Sequence, residues 1–574
     1  MYIESVPNRN SPPTLLLRRT YRSGGKVIKE TLANLNKWPD PIVEGLKKLL
    51  QNEPKSATPG SGTHDSFEIL RSHPHGHVKA CLGTIRNIGL DKLISSTKSK
   101  ILSLVVGMLV SRIINCCSKL ATARDLDEQT CTSSLGIELE LTSTVVVDHL
   151  YEALDWLGSR QEKIQNKLIE KHLDSDTIVL WYDVSSSYFE GECCPIAKYG
   201  HSRDSRRDRK QIVYGLICNK QGCPVSIEVF EGNTADPSAF TALVRNIKRK
   251  YCAKSVVFIG DRGMITSARI EQDLKPNDKY CWISALRTEQ IRNLFEEEVL
   301  NLKDFTNTDI KELSSKSFPG ERLVACKNES LCKDRAKNRE DLLLATEIEL
   351  TKIAQRKMIG KDKIGLAVGK VINKRRMAKH FVLTISDNSF SFARNQDSID
   401  AEKKLDGFYV ICSNIEKTLM DSSELVSSYK NLSKVEFAFR TLKSDDIQIR
   451  PIFHYKESRV RAHVFLCMLA YYLEWHMRQK LAPMLFEDHD KSKAQELRSS
   501  AVARSQRSIS AIKKASSKKS SDDNLPIHSF ASLLRDLATL SLNKIQIKLP
   551  GALPFMKATS PTAVQQKAFS LLDV

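Results

Sequence analysis

Thr14 to Leu35 (TLLLRRTYRSGGKVIKETLANL) alternates in strand fashion around Ser23-Gly24-Gly25. This predicts a β-hairpin whose arms carry Arg18, Arg19, Arg22, Lys26 and Lys29. From Ser66 to Lys171 apolar residues recur at three- and four-residue steps, as in LGTIRNIGLDKLI and VVVDHLYEALDWLGSRQEKIQNKLIEKHL, which predicts helices. At Asp174-Ser175-Asp176 the period changes to two. Thr177 to Val184 (TIVLWYDV), Gln211 to Cys218 (QIVYGLIC) and Pro224 to Phe230 (PVSIEVF) then read as a meander, the last two joined by a turn at Asn219-Lys220-Gln221-Gly222. Asp236-Pro237 supplies an N-cap and first-turn proline for a helix to about Lys250. Ser255 to Gly260 (SVVFIG) is apolar throughout, as a strand buried on both faces should be, and runs into Asp261-Arg262-Gly263. A helix from Thr266 and a strand from Tyr280 to Leu286 follow.

Three strands, then helix, strand, helix and strand, is the order of a ribonuclease H-like α/β core. Between Arg287 and Asp406 charged helical stretches mix with strand-like ones, which reads as an inserted α+β domain. The core resumes at Gly407 to Cys412 (GFYVIC), followed by a long helix from about Ser423 through Lys443 and a second apolar helix, VFLCMLAYYLEWHMRQKL. Residues 491–520 hold nine Lys/Arg and one acid, Glu496, and read as a basic linker or weakly helical arm. The expected segments are a basic hairpin region (1–60), a helical DNA-binding domain (61–176), a catalytic core in two parts (177–286 and 407–485), the insertion (287–406) and a basic C-terminal region (486–574).

At 574 residues the chain exceeds a single core, and 41% hydrophobic with 27% charged residues excludes a wholly disordered chain. The net charge of +20 implies a polyanionic partner. Ile101 to Ser111 is the longest apolar run, about half of the roughly 20 residues a bilayer needs. No secretory signal is evident, so a cytoplasmic, nucleoid-associated prokaryotic protein with no membrane partner is expected. The 14 cysteines include no CxxC pair. His73-Pro74-His75-Gly76-His77, with Cys81 behind, is the tempting zinc cluster, but Pro and Gly mark a loop and no partner set completes four ligands.

Two carboxylates, Asp183 and Asp261, stand at predicted strand ends, where open α/β sheets build sites. On the long helix Tyr429, Leu432, Glu436, Phe439 and Lys443 fall at steps of three and four and share one face. A glutamate and a lysine on such an apolar stripe imply a partner or a metal. Three carboxylates suit hard cations, and two Mg²⁺ ions about 3.5–4 Å apart can activate a nucleophile at a phosphodiester.

The runs WYDVSSSYFEG, VFEGNTADPSAF and FIGDRGM, and Tyr429 to Lys443, resemble DDE transposases of bacterial insertion sequences, in the branch with a β-rich insertion between the second Asp and the Glu. The similarity covers roughly Thr177 to Lys480. That family surrounds its glutamate with Tyr, two residues, Arg, three residues, Glu, six residues, Lys; here Leu432 stands at the Arg position.

The resemblance implies that Asp183, Asp261 and Glu436 ligate two Mg²⁺, with Mn²⁺ as substitute, and that Tyr429 and Lys443 contact the DNA end. Arg440, one turn past Glu436, is the expected replacement for the missing Arg. The loop KYGHSRDSRRDRK, residues 198–210, offers Arg203, Arg206, Arg207, Arg209 and Lys210 as further DNA contacts, and Arg262 joins them. The Gly232-Asn233-Thr234 turn and Asp236 read equally as turn plus helix cap or as functional. The function implied is cut-and-paste transposition: metal-dependent cleavage at terminal inverted repeats and strand transfer into target DNA by a homodimeric synaptic complex. A nuclease without strand transfer and an inactive DNA-binding remnant are the alternatives.

Overall fold

The computed structural model describes residues 1–8, 12–23, 26–51, 67–141, 144–173, 177–250, 254–356, 359–444, 447–488, 494, 500–502, 506–516, 521, 523–548 and 551–574. Two compact units divide the chain: Met1–His73 with Ser541–Ser560, and Pro74–Leu540 with Pro561–Val574.

In the first unit Tyr2–Val6, Thr14–Ser23 and Lys26–Asn34 form an antiparallel sheet in that order. The hairpin thus gains a third strand, while its turn at Gly24-Gly25 lies outside the described residues. Its cations are partly neutralised from within, by Arg18–Glu4 at 2.7 Å and Arg19–Glu30 at 2.6 Å. A second sheet joins Phe67–Pro74, Ser541–Ile547 and Phe555–Ala558.

The second unit is built on an eight-stranded mixed sheet: β1 (Thr177–Tyr188), β2 (Gln211–Cys218), β3 (Pro224–Phe230), β4 (Ser255–Ile259), β5 (Tyr280–Ala285), β6 (Ile310–Leu313), β7 (Arg322–Lys327) and β8 (Phe408–Ser413). Their spatial order is β6-β7-β8-β5-β4-β1-β2-β3. The pairs β1/β4 and β4/β5 are parallel and the rest antiparallel. Every residue of β2 is buried, which matches its unbroken apolar run.

The longer helices of this unit include α1 (Gly76–Ile88), α2 (Lys100–Ile114), α3 (Val147–Ser159), α4 (Gln161–His172), α5 (Asp236–Lys250), α6 (Glu329–Ala354) and α7 (Lys361–Lys374). They are followed by α8 (Ser422–Lys430), α9 (Leu432–Lys443), α10 (Glu457–Leu481) and α11 (Ala563–Leu572). The central helix α10 packs on α1, α2, α3, α11 and β3, so Ala462 to Glu474 are buried without a break and the helix is not amphipathic. Each fully buried Leu or Phe along it contributes about 1.5–3 kcal/mol.

Three expectations need correction. The segment 61–176 is not a separate helical domain: its first described residues, Phe67–Pro74, form a strand, and α1 to α4 share one continuous core with the sheet. The insertion at 287–406 does not stand apart either, because β6 and β7 extend the main sheet beside β8. Only α6, α7 and the hairpin Phe381–Ile385/Phe390–Arg394 close a core of their own, around Leu343, Leu350, Ile364, Val368, Phe381 and Phe390. The long Glu helix is two helices broken at Asn431, where the Trp181 indole N–H takes the Ser428 carbonyl at 2.9 Å in competition with the helical ladder.

Among the described residues no single helix is long and apolar enough to cross a membrane, although Lys100–Ile114 and Lys119–Leu126 pass together as a pair bent by 108°. In the basic stretch 491–520, Ile509–Ser516 is helical, and most of the rest lies outside the described residues. The predicted boundary at Asp174-Ser175-Asp176 lies outside them too.

Candidate active site

The parallel register of β1 and β4 ends at Trp181 opposite Ile259. Asp183 and Asp261 each stand two residues further on, so neighbouring strands deliver them side by side. Asp261 lies just past its strand, after Gly260, in a turn where its carboxylate accepts the Gly263 N–H. Asp183 is not at a strand end: β1 continues to Tyr188 because β2 pairs with it from Trp181 through Tyr188. What ends at Asp183 is the parallel half of its pairing.

The third acid comes from α9, which packs on β1 and β2 through Val435, Phe439 and Leu442. Phe439 meets Tyr214 of β2 edge to face at 5.7 Å. Glu436 itself is exposed, so the expectation of a buried, costly glutamate on an apolar stripe does not hold. The break at Asn431 rotates the pattern, and Tyr429 belongs to α8.

Electrostatics nevertheless link the acids. Burial first pushes the Asp183 carboxyl up to about 7, and the Asp261 and Glu436 carboxylates push the same way, against the Val184 N–H at 2.8 Å and Arg203. Burial likewise lifts the Tyr429 phenol to about 12, with Asp261, Glu436 and Asp183 adding and Arg262 opposing. Tyr429 therefore stands among all three acids as a neutral hydrogen-bond donor.

The donor set is all oxygen, which suits hard divalent cations rather than zinc or copper. Among the described residues the one trio of metal-ligating side chains whose donor atoms all lie within 4.8 Å of one another is elsewhere, at His172, Cys223 and His476. The three acids are not drawn together that closely, although Asp183 feels both other carboxylates. In the histidine cluster of the sequence the His75 ring bonds the Ser134 hydroxyl at 2.9 Å, and Cys81 is fully buried against Met477.

The raised Asp183 carboxyl has a consequence for stability. Because the fold favours its protonated form, ionisation costs stability as pH rises from about 4, the unfolded value, to about 7, and the full cost remains above that. Metal-free Asp183→Asn protein is expected to melt higher than wild type at pH 8, with the gap closing toward pH 4. A lower melting temperature at pH 8 contradicts this.

The expected DNA-contacting residues fall into two groups. Most are held by the protein itself. Lys443 donates to Asp204 at 2.9 Å, Arg450 pairs with the same carboxylate at 2.6 Å, and the Tyr188 N–H reaches it at 3.1 Å. Arg203, beside Asp183, is clamped by both oxygens of Asp236 at 2.6 Å, so Asp236 does more than open α5. Arg206 pairs with Asp208 at 3.0 Å, Arg209 with Glu190 at 3.0 Å, and Lys210 donates to the Glu192 carbonyl at 3.1 Å. Arg207, Arg262 and Arg440 are exposed, with Arg262 reaching the Leu286 carbonyl at 3.4 Å.

Gly232 has a structural reason: a Cβ there would stand 1.9 Å from the Gln211 carbonyl oxygen and 2.4 Å from that of Lys198. The close approach docks the 198–210 loop onto β2. Sequence reasoning missed Asp204 and Arg450. The signal for Asp204 was its place as an acid inside an arginine-rich run; Arg450 carried none.

No curated protein matches the sequence. Among solved structures, the cryo-EM synaptic complex of piggyBac transposase with hairpin DNA aligns with 80% of this chain and 76% of that chain, at 9% identity and a TM-score of 0.34. The family model for the transposase DDE domain matches residues 174–473. That span is just over half of the chain and includes all three acids, and the chain belongs to the transposase DDE domain family.

Proposed function

We propose that this protein is a cut-and-paste DNA transposase that cleaves the ends of an insertion sequence and joins them to target DNA at one carboxylate site. The observation that carries the reading is the family match over residues 174–473, which spans Asp183, Asp261 and Glu436, and it is supported by the placement of Asp183 and Asp261 just past the paired ends of two neighbouring parallel strands. We read β3-β2-β1-β4-β5 with α9 as a ribonuclease H-like core.

Asp183, Asp261 and Glu436 are the ligands. Bound there, Mg²⁺, or Mn²⁺ in its place, supplies positive charge that activates water or a 3′-hydroxyl and stabilises the leaving oxygen. The chain's own groups do the positioning. Tyr429 keeps its proton and donates it in a hydrogen bond to the DNA end. Arg203, fixed by Asp236, offers a preorganised cation beside Asp183. Lys443 is already committed to Asp204, so its contribution to DNA binding is shared with that carboxylate. The exposed Arg207, Arg262 and Arg440 are the remaining phosphate contacts, and the +20 net charge draws the duplex in.

The N-terminal hairpin and the helices preceding β1 are assigned to terminal-repeat recognition, and synapsis of two ends implies a homodimer acting at the nucleoid in the cytoplasm. The test is a cleavage and strand-transfer assay on the element's own ends with Mg²⁺ or Mn²⁺. Metal-dependent cleavage followed by joining of precleaved ends supports the proposal. Cleavage without joining marks a nuclease, and binding without cleavage marks an inactive remnant.

Arg440→Ala is expected to weaken end binding several-fold and to lower the salt slope by about one phosphate contact. Binding and cleavage equal to wild type would refute its role as the replacement for the Arg that Leu432 displaces.

A further inference from the structure

The trio His172, Cys223 and His476 lies outside the carboxylate site and serves no step proposed for it. His172 is the last residue of α4, Cys223 follows the turn between β2 and β3, and His476 is on α10. One donor atom from each lies within 4.8 Å of those of the other two.

We propose that these three side chains bind a borderline-soft transition-metal ion, Zn²⁺ foremost, which ties the end of α4 and the β2–β3 turn to the central helix. This site is independent of the transposase reading. Two imidazoles and one thiolate are the donors such an ion selects, and neither Mg²⁺ nor Ca²⁺ prefers them.

The surroundings are built for ligation. Among the described residues the buried His476 Nε2 has no hydrogen-bond partner, a costly state that a metal relieves. The His172 ring is oriented by the Tyr472 hydroxyl, 2.8 Å from Nε2, which is the kind of outer contact that holds a ligating histidine. His476 is packed edge to face by Tyr472 at 4.6 Å and Trp475 at 4.9 Å, which restricts its rotation.

The Cys223 backbone is fixed as well: its N–H donates to Asn219 Oδ1 at 2.9 Å, and Gly222 takes the positive φ of 90° that the turn requires. Among the described residues the Cys223 thiol makes one weak hydrogen-bond contact, 3.9 Å from the Pro224 carbonyl. Burial already holds both imidazoles neutral, as ligation requires. The neighbouring cations are engaged elsewhere, Lys171 with the Ile88 carbonyl at 2.6 Å and Lys480 with Asp573 at 2.5 Å. On binding, the sulfur–metal bond forms as the thiol proton leaves to solvent, and water completes a tetrahedral set beside the two half-buried rings.

The test uses full-length protein stripped with chelator and dialysed. Titration with Zn²⁺ is expected to load about one ion per chain and to raise the melting temperature. Co²⁺ is expected to produce a thiolate-to-cobalt charge-transfer band, which a carboxylate-only site cannot generate. Cys223→Ser should abolish the band, His476→Gln should weaken or abolish it, and Cys193→Ser, at an exposed cysteine, should leave it intact. Near-UV circular dichroism establishes that each variant is folded. Folded wild-type protein that takes up no Zn²⁺, or a cobalt band that survives in folded Cys223→Ser protein, overturns the proposal. Should both ligand variants fail to fold, the wild-type stoichiometry and band decide alone.

Discussion

Asp183→Asn, Asp261→Asn and Glu436→Gln proteins are each expected to lose cleavage of element ends by about a thousandfold or more, while binding those ends nearly as wild type does. The size follows from the chemistry proposed. Ligand loss removes several kcal/mol of transition-state charge stabilisation, and each ~1.4 kcal/mol is tenfold in rate. The selectivity follows from the geometry. None of the three acids is the partner of a cation that shapes the fold: Asp261 and Glu436 are exposed, and Asp183 bonds only its neighbour's N–H among the described side-chain contacts. Gel-resolved cleavage with parallel binding titrations checks the prediction. Wild-type cleavage by any one variant removes that residue from the catalytic set, and loss of binding in step with cleavage points to a folding defect instead.

The second large effect concerns stability. Asp204→Ala is expected to destabilise the protein by about 3–5 kcal/mol, the cost typical of breaking a buried ion pair from one side. The Asp204 side chain is 2% exposed and neutralises both Lys443 and Arg450, whose side chains are 13% and 27% exposed. Its removal leaves two cations facing each other in a poorly solvated pocket, and burial already lowers the Lys443 ammonium from its ordinary value. Arg206→Ala, which breaks the surface pair with Asp208, is the control and is expected to leave stability unchanged. Denaturant unfolding of the two variants distinguishes the cases. Equal midpoints would show that Asp204 holds nothing together.

Much of the catalytic sheet was legible because its strands are short, apolar and closed by turn residues. The run SVVFIG ending in Asp261 could hardly be anything else, and Asn219 to Gly222 turns where its composition requires. The pairing of Asp183 with Asp261 follows once β1 and β4 are parallel, although the strand carrying Asp183 runs five residues past it. Other features depend on contacts that no local pattern encodes. The break at Asn431 is set by an indole 247 positions away from Ser428. Lys443 reads as a free DNA contact until Asp204, 239 positions earlier, is brought beside it. The β6 strand is four residues long and half polar, so it joins the sheet only because β7 offers an edge. The His172, Cys223 and His476 trio has no motif spacing at all, being assembled by three separate elements.

Anomalous scattering from Mn²⁺ in crystals of the protein with a DNA end tests the carboxylate site most directly. Manganese is expected beside Asp183, coordinated also by Asp261 and Glu436. Manganese absent from those three carboxylates, or found only at His172, Cys223 and His476, contradicts it.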